Sequence, residues 1–224
     1  MKRPVVDYRR LRPSNINTPE FSHLKLLLGW VGYFVLFFLT ENLIPAEKCH
    51  VMYCPIDDII PFCEWFLIPY VFWYALIVFS LGYFLLYDVP SFKKLQTYII
   101  ITQVTAMLVY ILYPSCQNLR PTEFANDNFL TDCIKALYAF DTNTGVCPSL
   151  HCAYSFGIAS VWLRSRDAHP IWKAFVVLAV TVIMLSTMFI KQHSAVDVFA
   201  AIPTAALAEI LVFGVFYRQK KNNS

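Results

Sequence analysis

The chain has 224 residues and a formal net charge of +3; hydrophobic residues make up 58% of it and charged residues only 15%. Soluble domains carry roughly 25% charged residues, so this composition excludes a fully wetted soluble domain and reads as an integral membrane protein. The small positive excess serves membrane orientation and attraction to anionic lipid, and requires no nucleic-acid partner.

In chain order, residues 1–23 read as a basic cytoplasmic tail interrupted by Pro4, Pro13 and Pro19. Apolar runs at 24–44, 65–87, 95–113, 149–163, 171–190 and 195–217 approach the ~20 residues a helix needs to cross a bilayer. Together they predict an all-α, polytopic membrane protein, a six-transmembrane-helix bundle over 24–217 followed by a short cytoplasmic tail at 218–224. The fourth run is short and rich in small residues (Ala153, Gly157, Ala159), which suits a helix packed at the centre of the bundle. Six spans place 14 of the 18 lysines and arginines on one side. By the positive-inside rule that side, with both termini, is cytoplasmic, in a multi-pass protein of the cell membrane.

The loops on the other side hold Cys49, Cys54, Cys63, Cys116, Cys133 and Cys147, and Cys152 lies just inside the fourth span. That sidedness predicts an oxidising compartment and disulfides whose pairing the sequence leaves open. His23, His50 and His169 read as solvated or interfacial side chains. The second outer loop, 114–147, spaces Phe129, Leu130, Cys133, Ile134, Leu137 and Phe140 at helical intervals. This predicts a short amphipathic helix at the outer interface. The run Asp141-Thr142-Asn143-Thr144-Gly145 then ends that helix and turns the chain inward.

Chemistry concentrates in Cys147-Pro148-Ser149-Leu150-His151 and in a later set comprising Ser186, Lys191, His193 and Asp197. Pro148-Ser149 starts a helix, and a helix N-terminus attracts anions. His151 in its first turn can give a proton to a leaving oxygen. His193 and Asp197, four apart, share a helix face, so the carboxylate can hold one imidazole nitrogen and leave the other free to attack phosphorus. Lys191 adds a cation, and Arg120 can grip phosphate oxygens bidentately. All of these fall at the extracytoplasmic end of a topology derived from charge alone.

These residues resemble the type 2 phosphatidic acid phosphatase superfamily, whose pattern runs KxxxxxxRP, PSxH, SRxxxxxHxxxD. The second element stands complete as Pro148-Ser149-Leu150-His151. The third keeps Ser186, His193 and Asp197 with Thr187 in place of arginine; the first keeps Arg120-Pro121 with Tyr113 in place of lysine. The resemblance implies a lipid phosphatase needing no metal or cofactor. His193 is then the nucleophile, Asp197 its orienting partner, His151 the acid and base, and Arg120, Ser149, Lys191 and Ser186 the phosphate-binding set. The substrate is a phospholipid or polyprenyl phosphate drawn from the membrane. The missing arginine is also a feature of sphingomyelin and inositolphosphorylceramide synthases, so transfer of a phospho-headgroup to a lipid hydroxyl is a second expectation. A non-catalytic transport or interaction protein, to which Glu209 within the last span would point, and a vanadium haloperoxidase are the rivals.

Overall fold

The computed structural model describes residues 3–44 and 48–218. Residues 1–2 of the basic tail, 45–47 of the first outer loop and 219–224 of the C-terminal tail lie outside them. The helices are α1 (Leu28–Leu43), α2 (Ile56–Ile59), α3 (Leu67–Tyr87), α4 (Val89–Leu112), α5 (Phe129–Phe140), α6 (Leu150–Arg164), α7 (Pro170–Phe189) and α8 (Ala195–Glu209), the last continued as a π-helical segment to Phe216. Two short strands, β1 (His50–Val51) and β2 (Ser115–Cys116), pair in parallel and join the two outer loops.

Five helical segments are long and apolar enough to cross a membrane: Ser22–Leu43, Glu64–Tyr87, Val89–Leu112, Pro170–Phe189 and Ala195–Phe216. The chain is thus an all-α polytopic membrane protein. The fourth expected span is α6, whose fifteen residues make about 22 Å at 1.5 Å per residue, less than the hydrocarbon thickness. It is the central helix, packed on α4, α7 and α8. Its small residues act as expected. Gly157 has no Cβ, and one built there would lie 2.5 Å from Tyr98 Cδ1 of α4. The same tyrosine's hydroxyl donates to the Ala205 carbonyl of α8 at 2.9 Å. A core of Trp73, Leu76, Phe84, Phe92, Ile99, Ile158, Trp162 and Ile183 fills the space between helices.

Cross-links between helix ends fix which residues share an end of the bundle. At one end Tyr110 of α4 donates to the Pro148 carbonyl at 2.8 Å. There the Ser149 amide also donates to the Asp197 carbonyl, and the Cys63 amide to the Phe189 carbonyl. At the other end the tail folds back: the Val5 amide donates to the Leu86 carbonyl, and Tyr8 donates to the Leu85 carbonyl. His23 is buried there, its Nε2 2.8 Å from the Tyr8 hydroxyl and its ring edge-on to Phe92. It is a packing residue, not a solvated one. Glu209 acquires a partner at the same end, its carboxylate 2.5 Å from Arg164 and accepting from Ser160 at 2.7 Å.

The amphipathic helix forms as α5. Asn128 caps it by accepting from the Leu130 and Thr131 amides; a short polar side chain at that position satisfies free N–H groups of the first turn. Its apolar face, Leu130, Cys133, Ile134 and Leu137, packs on Phe62, Phe66, Leu67 and Tyr70. The expected disulfides do not form among Cys54, Cys63, Cys116, Cys133, Cys147 and Cys152, all of which are thiols. Cys116 pairs in β2, Cys133 on the apolar face of α5 packs toward Leu67 and Tyr70, and Cys152 lies between Ser149 and Thr187.

Candidate active site

The site is built on the ends of α6 and α8. Ser149 takes an extended conformation, φ −67° and ψ 116°, at the N-cap of α6. Its hydroxyl is buried beside the Cys152 thiol and makes no hydrogen bond to a protein nitrogen or oxygen. His151, in the first turn, is framed by α3: its ring centroid lies 4.1 Å from Trp73, 4.6 Å from Tyr70 and 6.3 Å from Tyr74. This aromatic box orients the imidazole, and its Nε2 is buried without a protein partner.

The turn between α7 and α8 presents His193. The Thr187 carbonyl accepts from the amides of both Gln192 and His193, and Lys191 takes a left-handed φ of 54° to make the reversal. Ser194 and Asp197 then form a capping box on α8, in which the Asp197 carboxylate accepts from the Ser194 amide at 2.9 Å. Such a box fixes the N3 carboxylate at the helix start, and here the same oxygen lies 3.3 Å from His193 Nδ1. One local signal thereby places both the helix start and the histidine's carboxylate partner. Nε2 of His193 is left for other chemistry. The His151 and His193 rings stand 5.7 Å apart at 64°, so one phosphoryl group could touch both.

Arg120 joins the site through the second outer loop. Its guanidinium lies over the Tyr138 ring at 4.6 Å. It donates to the carbonyls of Tyr138, Asp141 and Thr142, and to Gln192 Oε1 at 2.7 Å; its Nε is buried without a partner. Burial lowers its pKa, which still leaves an arginine charged. Gln192 also donates to Asp141 Oδ2 at 3.0 Å. Burial pushes the Asp141 carboxyl above its ordinary pKa, opposed by His193 and Arg120. Cys147 rests against Asp197; burial and that charge push its thiol up to about 12.

Two expected phosphate ligands are turned away. Lys191 donates its ammonium to the carbonyls of Asp57 at 2.9 Å and Ile60 at 2.5 Å, because its left-handed backbone directs the side chain toward the first outer loop. Burial lowers its pKa, against Asp57 and Asp58. Ser186 is buried in the last turn of α7 and donates to its own helix at Ile183. The positions where the resemblance expects further cations carry none. Tyr113 stacks on His50 at 4.0 Å, and the Thr187 hydroxyl donates to Met184.

Several contributors escaped the sequence reading. Asp57 of α2 is buried and accepts from the Ser194 hydroxyl at 2.5 Å and the Ala195 amide at 2.7 Å. It clasps the start of α8 beside His193. In the sequence Asp141 marks only the end of a helix, and Gln192, Tyr70 and Trp73 belong to no motif. Gln192's position next to His193 was the one available signal. Above them, Glu41 of α1 accepts from the hydroxyls of Thr142 and Thr144, closing the second loop over the site.

The family model that matches is described as the PAP2 superfamily and covers residues 94–221, more than half of the chain. No curated protein and no solved structure matches.

Proposed function

The chain belongs to the PAP2 superfamily, and from that premise we propose that it hydrolyses a lipid phosphate or polyprenyl diphosphate through a phosphohistidine on His193. Membership supports a phosphatase-type membrane enzyme. The observation that carries the finer reading is the 5.7 Å approach of two imidazoles from separate helices, one of them backed by a buried carboxylate.

In this mechanism His193 Nε2 attacks phosphorus while Asp197 holds the proton on Nδ1 and stabilises the imidazolium that forms. The P–N bond forms as the P–O bond to the leaving group breaks. His151 gives its Nε2 proton to the departing oxygen. Water then loses a proton to His151 and attacks phosphorus, the P–N bond breaks, and orthophosphate leaves with both histidines restored. The buried, unpartnered atoms of Ser149, His151 and Arg120 receive phosphate oxygens, since buried donors otherwise carry a desolvation cost. The basic residues at the opposite end (Arg9, Arg10, Arg12, Lys93 and Lys94) support cytoplasmic termini and a site opening on the other side.

A second reading, transfer of a phospho-headgroup to a lipid hydroxyl, is favoured by the cation count. With Tyr113 and Thr187 in the motif positions and Lys191 held by carbonyls, Arg120 is the one cation of the expected set beside the imidazoles. A singly charged phosphodiester needs less compensation than a doubly charged monoester. The test is product mass spectrometry after incubating wild type and His193→Ala with lipid phosphates, and with phosphodiesters plus a lipid alcohol. Free orthophosphate from wild type alone supports hydrolysis; a new phosphodiester without orthophosphate supports transfer. Equal products from both proteins refute the assignment of His193.

A further inference from the structure

The segment that Arg120 ties down carries a carboxylate into the site, and the phosphoryl chemistry gives it no task. Asp141 Oδ2 accepts from Gln192 Nε2 at 3.0 Å, and Gln192 directly precedes His193. The oxygen of the same amide accepts from Arg120 at 2.7 Å, and Arg120 also donates to the Asp141 carbonyl at 2.8 Å. Tyr70, whose ring lies 4.6 Å from His151, faces the Asp141 carboxylate from α3. Asp141 is therefore joined to both histidines and to the arginine through single side chains.

The charged and titratable groups that face it are Arg120 from its own loop, His193 from the α7–α8 turn, Tyr70 and Tyr74 from α3, and Glu41 and Tyr33 from α1. Asp197 backs the same His193, while Lys191 is directed away to the carbonyls of Asp57 and Ile60. One guanidinium thus meets the carboxyl groups of Asp141, Asp197 and Glu41. A second negative charge on an entering phosphoryl group finds no cation left to meet it, and charge repulsion is stronger in a partly desolvated site than in water. The packing itself does not call for a carboxylate at position 141. An amide oxygen would accept from Gln192 equally well, without the desolvation cost of a half-buried charge.

We propose that Asp141 is a specificity-determining residue: its negative charge limits the site to phosphoryl groups of single charge, either a phosphodiester or a monoester that brings one proton. For a monoester, that proton is shared between a phosphate oxygen and the Asp141 carboxylate. This deepens, and rests on, the reading of His151 and His193 as the phosphoryl site.

The test uses the full-length protein in mixed micelles with phosphatidic acid and phosphatidylmethanol, which share their chains and differ by one ionisable oxygen on phosphorus. Release of diacylglycerol reads both. The monoester-to-diester ratio of kcat/KM is the measured quantity, because ionisation of His151 and His193 is common to the two substrates and cancels. In wild type the ratio is expected to fall about fiftyfold from pH 6 to pH 8, following the second ionisation of a phosphate ester near pH 6. Asp141→Asn should raise the ratio at pH 8 about tenfold, the scale of one relieved charge repulsion; Asp141→Glu should keep the wild-type profile. A readout free of turnover is thermal stabilisation at pH 8 by methyl phosphate and dimethyl phosphate. Wild type should favour the dimethyl ester, and Asp141→Asn should lose that preference. A ratio unchanged by Asp141→Asn, equal losses on both lipids, or a wild-type preference for the monoester at pH 8 overturns the proposal. The expected pattern of stabilisation without turnover of either lipid supports the charge filter and overturns the phosphatase reading.

Discussion

Asp57→Ala tests whether the first outer loop sets the geometry of the histidine turn. Asp57 accepts from the Cys54 amide at 2.9 Å, the Ser194 hydroxyl at 2.5 Å and the Ala195 amide at 2.7 Å. The Ser194 hydroxyl can rotate, and Cys54 is only half-buried. The Ala195 N–H, in contrast, is left without an acceptor in a buried position, and such an orphan costs about 1–3 kcal/mol. The turn relieves that cost by shifting, and His193 shifts with it; a displacement near 1 Å costs about 10²-fold in rate. The expected result is a kcat for lipid-phosphate hydrolysis down about 100-fold, KM changed far less, and a Tm lowered by several degrees. Asp57→Asn keeps an oxygen for Ala195 and should fall between the two. Steady-state phosphate release from both variants measures this. A folded Asp57→Ala protein with kcat within twofold of wild type refutes the reasoning.

Three other perturbations read different parts of the structure. Gly157→Ala drives a methyl toward Tyr98 at 2.5 Å, and overpacking of this kind costs about 1–3 kcal/mol, visible as a fall of several degrees in Tm; an unchanged Tm contradicts the close α4–α6 approach. The Cys147 thiol, pushed up to about 12, should show an alkylation rate still rising steeply with pH beyond pH 9, where an ordinary thiol of pKa about 8.5 levels off. Asp141 has its carboxyl raised by burial, so its contribution to stability is full below the ordinary carboxylate pKa and is lost as pH rises through the raised value. Asp141→Asn should therefore melt higher than wild type at neutral pH, with the gap closing in acid; a variant that melts lower at neutral pH contradicts that sign.

What the sequence disclosed was what is written locally. Five of the six apolar runs give helices long enough to cross a membrane, the run at 149–163 gives the shorter α6, and helical spacing gives α5. PSxH and HxxxD bring their groups together because each lies within one helical turn of a helix start, that of α8 closed by a capping box. What it concealed depends on contacts between distant segments. Asp57 reaches Ser194 across 137 residues, and nothing around Ile56-Asp57-Asp58-Ile59 marks one aspartate as buried and the other as exposed. Charge and proximity point Lys191 at phosphate, but its left-handed φ aims the ammonium at the carbonyls of Asp57 and Ile60. Cysteine sidedness suggested disulfides, whereas the fold distributes the thiols to separate packing positions. The sequence points Arg120 toward the site, and Arg120 bonds Gln192 beside His193. Its use in tying down the carbonyls of Tyr138, Asp141 and Thr142 has no signature in side-chain sequence.

The most direct measurement is rapid quench of wild-type protein with a radiolabelled phosphate substrate, followed by peptide mapping of the trapped phosphoenzyme. The account predicts an acid-labile, alkali-stable phosphate on the peptide bearing His193, absent from His193→Ala. Single-turnover release with no phosphoenzyme at any time point, or label carried by another residue, contradicts it.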